Sequence, residues 1–284
     1  MFRSASGSGH EMSTRWTSDV DAPRQRRWLL GAGRWLENCV SRGMLISLIV
    51  ALVAVLMLRV EVAKPGRTWP VVRGWWMRAV VFNALQAGCV YLAGIRLEGW
   101  LALHGLRWGH RFGTLGGTLV GYLVITFVYY WWHRWRHESD LLWRWLHQLH
   151  HSPQRLEVLT SFYKHPLEML SNSVISLAVL YLCIGVTPGA ATGAQLLTGL
   201  AELFYHWNVR TPYWLGFVFQ RPESHCVHHE RDQHSGNYAD LPLWDMLFGT
   251  FHNPRGFDRE CGFGPAAERR VVAMLAGVVV TPPR

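Results

Sequence analysis

Charge is scarce in this chain. Asp, Glu, Lys and Arg make up 17% of its 284 residues, against roughly 25% in a soluble domain. Cysteine is sparse too. Cys39, Cys89, Cys183, Cys226 and Cys261 stand far apart, and no C-x-x-C occurs. Such spacing supplies neither a disulfide framework nor a zinc knuckle and reads as free thiols in a reducing compartment. Two metal motifs are missing. Without H-E-x-x-H there is no zinc-protease signature. Without E-x-x-H there is no ferritin-like carboxylate di-iron site. No nucleic-acid motif accompanies the net charge of +9, so the basic balance points to anionic lipid and not to nucleic acid. There is no internal repeat.

What is present is apolar and aromatic. Half of the chain is hydrophobic and 16 residues are Trp, which excludes a wholly disordered protein. The mean hydropathy is only +0.06, which excludes a simple bundle of membrane spans. The composition fits an embedded half joined to a polar half.

Uncharged windows locate the embedded half. Gly43 to Leu58 spans 16 residues, the window between Arg78 and Arg96 holds 17, that between Arg111 and Arg134 holds 22, and that between Glu168 and Glu202 holds 33. A span needs about 20 residues. The third window fits one span and closes on Tyr129-Tyr130-Trp131-Trp132, an aromatic cluster suited to a membrane interface. The fourth is too long for one helix and contains Thr187-Pro188-Gly189, a helix breaker. It predicts a helical hairpin, roughly 167–186 and 190–205, with both ends on one membrane face. The expected organisation is a disordered basic tail over 1–41, membrane segments over 42–111, a catalytic domain over 112–270, and an apolar segment over 271–284 that packs on the domain or lies in the interface. The expected fold is all-α, a polytopic membrane bundle with a histidine-rich helical cap.

The histidines carry the chemistry. Eleven of 15 fall between His133 and His234, in polar stretches just outside the apolar windows. They form an H-x-x-x-H (His133, His137) and two H-x-x-H-H boxes (His147, His150, His151 and His225, His228, His229). On a helix, i, i+3 and i+4 share a face, so each box is expected to aim its imidazoles at one point. Eight imidazoles exceed what one metal uses and predict two metals. His165 and His206 bracket the hairpin and are expected to return to the same face. His10, His104, His110, His252 and His234 read as ordinary histidines. Imidazole suits Zn, Cu, Fe and Ni. Glu138, Glu168, Asp240 and Asp245 are candidates, by proximity in sequence, to orient imidazole N–H groups. A histidine-rich metal-binding or metal-transport protein without oxygenase activity is the alternative reading. Transporters place polar ligands within spans, whereas these clusters lie outside the windows.

The order of the three boxes resembles the fatty acid hydroxylase superfamily, which includes sterol desaturases, sterol C4-methyl oxidases and alkylglycerol monooxygenase. His165-Pro166-Leu167-Glu168 resembles a His-Pro element of that family, and the stretch from Asn237-Tyr238 to Trp244-Asp245-Met246-Leu247-Phe248-Gly249-Thr250 resembles its closing segment. The similarity covers roughly 113–254. It implies a membrane di-iron oxygenase that uses O2 and two electrons to hydroxylate or desaturate a C–H bond of a lipid, at an active site facing the cytosol. It implies iron ligands at His133, His137, His147, His150, His151, His165, His206, His225, His228 and His229, with Asn237 and Asp245 in support. The chain lacks the His-Pro-Gly-Gly signature of a fused cytochrome b5, so a separate donor of cytochrome b5 or ferredoxin type is implied. Arg59, Lys64, Arg67, Arg73 and Arg78 between the first two windows suit a cytosolic loop, while the arginines of the tail argue for the opposite N-terminal orientation.

Overall fold

A 26-residue helix organises the molecule. In the computed structural model, which describes residues 44–283 apart from position 46, the third apolar window is helical from Gly113 to Glu138. We number the main helices α1 (47–63), α2 (Trp75–Ala93), α3 (Gly113–Glu138), α4 (Gln148–His151), α5 (Pro166–Leu177), α6 (Pro188–His206), α7 (Pro222–His228) and α8 (Pro242–Phe248). The described residues form no strand, only an isolated bridge between Glu230 and Cys261. The all-α expectation holds. Cys89, Cys183, Cys226 and Cys261 are free thiols. The tail over 1–41 lies outside the described residues.

The predicted hairpin is present. Its first arm, α5, continues through a π-helical stretch to Ile184. Gly185 then turns the chain at φ 68°, where a Cβ would stand 2.3 Å from the Leu106 carbonyl oxygen, so only glycine fits. Pro188 begins the second arm at the first helical turn, where it needs no N–H partner. The Thr187 hydroxyl caps that turn by accepting the Ala190 N–H at 3.2 Å.

The second arm lies on α3 through small residues. A Cβ on Gly117 would approach Ala190 Cβ to 2.8 Å, and one on Gly121 would approach Ala194 Cβ to 3.2 Å. Glycines four apart let two backbones come this close. Among the described residues, three helical runs are long and apolar enough to cross a membrane: Trp75–Leu101, Trp108–Glu138 and Pro166–Ile184. The second arm is not among them, because Thr192, Gln195, Thr198 and Glu202 interrupt its apolar surface.

The polar half is tied to these helices by buried bonds. The Glu61 carboxylate on α1 accepts the backbone N–H of Val158 at 3.0 Å and of Asn208 at 2.7 Å. The C-terminal segment packs against the second histidine box. Trp143 donates to the Thr281 carbonyl at 2.7 Å, and Gln148 donates to the Val278 carbonyl at 2.9 Å.

Gly117→Ala is expected to destabilise the protein by about 1–3 kcal/mol, the usual cost of overpacking. Gly116→Ala, one position away, meets only Phe112 just ahead of the helix at 3.4 Å and should stabilise by about 0.5–1 kcal/mol through helix propensity. Thermal unfolding of the two detergent-purified variants checks the contrast.

Candidate metal centre

Nine histidines from four segments converge into two groups. The first holds His133, His137, His147, His151 and His228; the second holds His150, His206, His225 and His229. Within each group, one ring nitrogen per residue lies within 4.8 Å of every other. All are buried except His133, which is partly buried.

The H-x-x-H-H boxes do not aim all three imidazoles at one point, contrary to the sequence expectation. His147 and His151 enter the first group while His150 enters the second; His225 and His229 enter the second while His228 enters the first. At 3.6 residues per turn, residues i and i+4 differ by about 40° around the axis, while i+3 is turned about 60° to the other side. Each box therefore straddles both groups, and α3 supplies His133 and His137 to the first alone.

The ring orientations follow from what the outer nitrogens touch. A carbonyl can only accept, so a ring nitrogen beside one carries the proton. His133 Nδ1 donates to the Tyr238 carbonyl at 2.7 Å, His228 Nδ1 to Gly236 at 2.7 Å, and His206 Nδ1 to Glu202 at 2.8 Å. In a neutral imidazole this leaves Nε2 as a bare lone pair directed inward. His147 Nδ1 lies 3.2 Å from a Glu168 oxygen, and Gln220 Nε2 lies 3.0 Å from His225 Nδ1. Inside, nitrogen meets nitrogen. His147 and His151 bring their Nε2 atoms to 3.1 Å, and His206 and His225 do the same at 3.1 Å. The buried Nε2 atoms of His133 and His228 and both ring nitrogens of His229 have no hydrogen-bond partner. Buried nitrogens directed at one another fit metal ions: an all-imidazole donor set with N–H groups anchored outward is what a late first-row metal takes.

Burial controls the charge state. Desolvation pushes His228 down to about 3. It also holds His147, His150, His151, His206, His225 and His229 well below the ordinary imidazole value, with neighbouring histidines adding to the effect in most of them. These rings are neutral at pH 7, the form that binds metal.

Two expected residues are placed elsewhere. His165 joins neither group. It caps α5, where Nδ1 accepts the Leu167 N–H at 3.1 Å, and its Nε2 lies 3.2 Å from the Leu275 carbonyl. The helix cap takes one of its nitrogens and the C-terminal segment the other. Glu138 pairs with Arg134 on the exposed side of α3 at 2.7 Å and orients no imidazole. Asp245 acts one step back. Its carboxylate accepts the Tyr238 and Ala239 N–H groups at 2.8 and 2.9 Å and so sets the loop whose carbonyl takes His133. Asn237 bonds Ser224 and the backbone of His252 and braces that loop to α7. Burial raises Asp245 to about 6 and Asp240 to about 7.

Sequence reading passed over several contributors. Arg136 is buried between the two histidines of the first box and pairs with Glu168. Its position inside H-x-x-x-H was the only available signal. Gln220 had none. His234 read as an ordinary histidine, yet it is buried with its Nδ1 3.2 Å from that of His151. Trp143 packs its ring against His137 and His151 at 5.3 Å each.

Residues 118–250 match the family described as Fatty acid hydroxylase. Among curated proteins, the ornithine lipid hydroxylase OlsE of Rhizobium tropici is 32% identical over 62% of this chain and 54% of its own length. The alkylglycerol monooxygenase of Homo sapiens is 29% identical over 45% of this chain and 28% of its own. The sphingolipid C4-hydroxylase sur2 of Schizosaccharomyces pombe is 28% identical over 44% of each. The chain thus spans about half the length of these relatives, or less. No solved structure matches it.

Depressed imidazoles make stability depend on pH. An unfolded imidazole takes up a proton near 6.5, while the buried ones refuse it, so stability is full above about 6.5 and falls below it, by up to about 1.4 kcal/mol per pH unit for each group. The raised carboxyls Glu61, Asp240 and Asp245 work in the opposite sense between about pH 4 and 7, but the imidazoles outnumber them. Unfolding temperature in detergent should therefore drop steadily from pH 6.5 to 5 and change little above pH 7.5.

Proposed function

We propose that this protein is a multi-pass, membrane-bound non-haem di-iron oxidoreductase that uses O2 and two electrons to hydroxylate or desaturate a C–H bond of a lipid, fatty acyl or sterol-like, at a cytosolic active site. One observation carries the reading: nine histidines fall into two groups, of five and four, in each of which one ring nitrogen per residue lies within 4.8 Å of every other. The first group would hold one iron through His133, His137, His147, His151 and His228. The second would hold the other through His150, His206, His225 and His229. Iron bound there supplies oxygen activation and C–H oxidation, which no side chain of the chain performs alone.

The remaining tasks belong to the protein. The Tyr238, Gly236 and Glu202 carbonyls fix the rings and their tautomers. Glu168 is the only carboxylate bonded directly to a ligand ring among the described residues; it contacts His147 and is itself paired with the buried Arg136. Burial of eight of the nine histidines keeps bulk water from most of the centre. Electrons come from a separate donor of cytochrome b5 or ferredoxin type.

A lipid has a place to lie. A cavity of about 460 Å3 opens between α1, α2, α5 and α6, with small apolar residues such as Ala51, Ala84, Ala87 and Gly199 on its walls. Its polar end is the Lys164–Glu202 ion pair at 2.6 Å. The Glu202 carbonyl holds His206, so this end lies one helical turn from the second group. We assign the apolar walls to the hydrocarbon part of the substrate.

The experiment is elemental analysis with Mössbauer spectroscopy on detergent-purified protein. Iron filling both groups, in a coupled pair, is the expected result. Zinc alone, resistant to replacement by iron, would overturn the reading. His206→Ala should lower the iron content, whereas His165→Ala should retain it. Ala87→Trp, which fills the cavity, is expected to keep its iron yet lose turnover of lipid in an assay with O2 and reductant.

A further inference from the structure

Two short segments on the polar half expose a run of large apolar side chains. In the segment 213–219, Trp214 is 64% exposed, and Tyr213, Phe217, Val218 and Phe219 are exposed beside it. On α8, Leu247 is 63% exposed, together with Leu243 and Met246. The two segments pack against each other. Water-facing apolar patches of this kind mark an interaction surface.

The position of the patch identifies the partner. Its inner side is fastened to α3 at the end of the apolar window. Trp244 lies 5.0 Å from Phe127 and donates to the Thr126 hydroxyl at 3.0 Å, while Phe248 packs on Tyr130 and Trp131 at 5.1 and 4.9 Å. Phe127 itself ends a stripe, Leu115, Leu119, Leu123 and Phe127, that is exposed along one face of this membrane-crossing helix. Residues four apart lie above one another, so the stripe faces lipid and α8 continues it sideways at its polar end. The rim is cationic and aromatic. The Arg255 guanidinium lies 5.0 Å over the Tyr213 ring, and Arg210 and Arg255 line one recess. Aromatic rings with arginines beside them suit the headgroup layer of an anionic leaflet.

We propose that the outer face of α8 and the segment 213–219 form a foot seated in the headgroup layer of the bilayer, with an anionic phospholipid leaflet as its partner. The foot is coupled to the metal centre. Asp245 on α8 holds the Tyr238 loop, and the Tyr238 carbonyl holds His133. Seating α8 in the leaflet therefore places both histidine groups at headgroup depth, level with the lipids they would act on. The foot does not depend on which metal those groups bind.

The test uses the full chain in nanodiscs of phosphatidylcholine and phosphatidylglycerol. A photoreactive benzoylphenylalanine replaces Trp214 or Leu247 in turn, with Glu260, whose side chain is 72% exposed, as the control position. Mass spectrometry after illumination reads the adducts, and a thermal scan confirms that each variant is folded. Phospholipid adducts at 214 and 247 and none at 260 are expected, with the phosphatidylglycerol share enriched over its share of the disc. Crosslinks from 247 to a second copy of the chain would overturn the proposal and make the patch a protein interface. Absence of lipid adducts at 214 and 247, in variants that remain folded, would overturn it as well. Phe219 provides a third position if one substitution disturbs the fold.

Discussion

Desolvation of imidazole is the constraint on which the rest of this structure depends. Taking a histidine out of water suppresses its charged form, and the neutral ring that remains has one proton and one lone pair. Nine such rings packed together cannot satisfy one another, because several of their outer nitrogens already hold the proton. The Tyr238, Gly236 and Glu202 carbonyls take those protons outward, and the lone pairs are left facing inward. A centre of this kind is costly unless something cationic takes the lone pairs, and its ligand geometry is set in advance by the backbone.

The backbone positions of those acceptors explain much of the architecture. Glu202 lies on the second arm of the hairpin, and the arm is held by the contact of Ala190 and Ala194 with Gly117 and Gly121 on α3, the helix that also presents His133 and His137. Tyr238 and Gly236 lie in a loop where Asp232, His234 and Asn237 adopt positive φ. For non-glycine residues this conformation persists only where surrounding bonds enforce it. Asp245 and Asn237 supply such bonds. Scaffold and site are thus one construction: the small-residue contact between two helices sets the spacing of histidines that belong to both.

The apolar surface follows the same economy. Along its apolar length α3 buries Gly117 and Gly121 and turns Leu115, Leu119 and Leu123 outward, the reverse of a water-soluble helix. The hairpin's second arm departs from this pattern because α3 covers part of it. The exposed face of α8 carries the outward pattern past the end of the span and onto the polar half.

Much of this was legible from residue order alone. A helix has a fixed angular step, so H-x-x-x-H on α3 had to present two rings together, and Pro188-Gly189 within an uncharged window had to interrupt a helix. The all-α class, the hairpin and the histidine clustering follow from local periodicity. The partition of the histidines did not, because which of three neighbouring rings turns to which group depends on where the other helices stand. His165 and His206 bracket the same hairpin, yet one caps a helix and the other enters the second group. His234 and Arg136 acquire their contacts across long stretches of chain. Local sequence determines the direction in which a side chain leaves its own helix; only tertiary packing decides what it meets there, because the partners of a buried polar atom come from distant segments whose separation no spacing along the chain records.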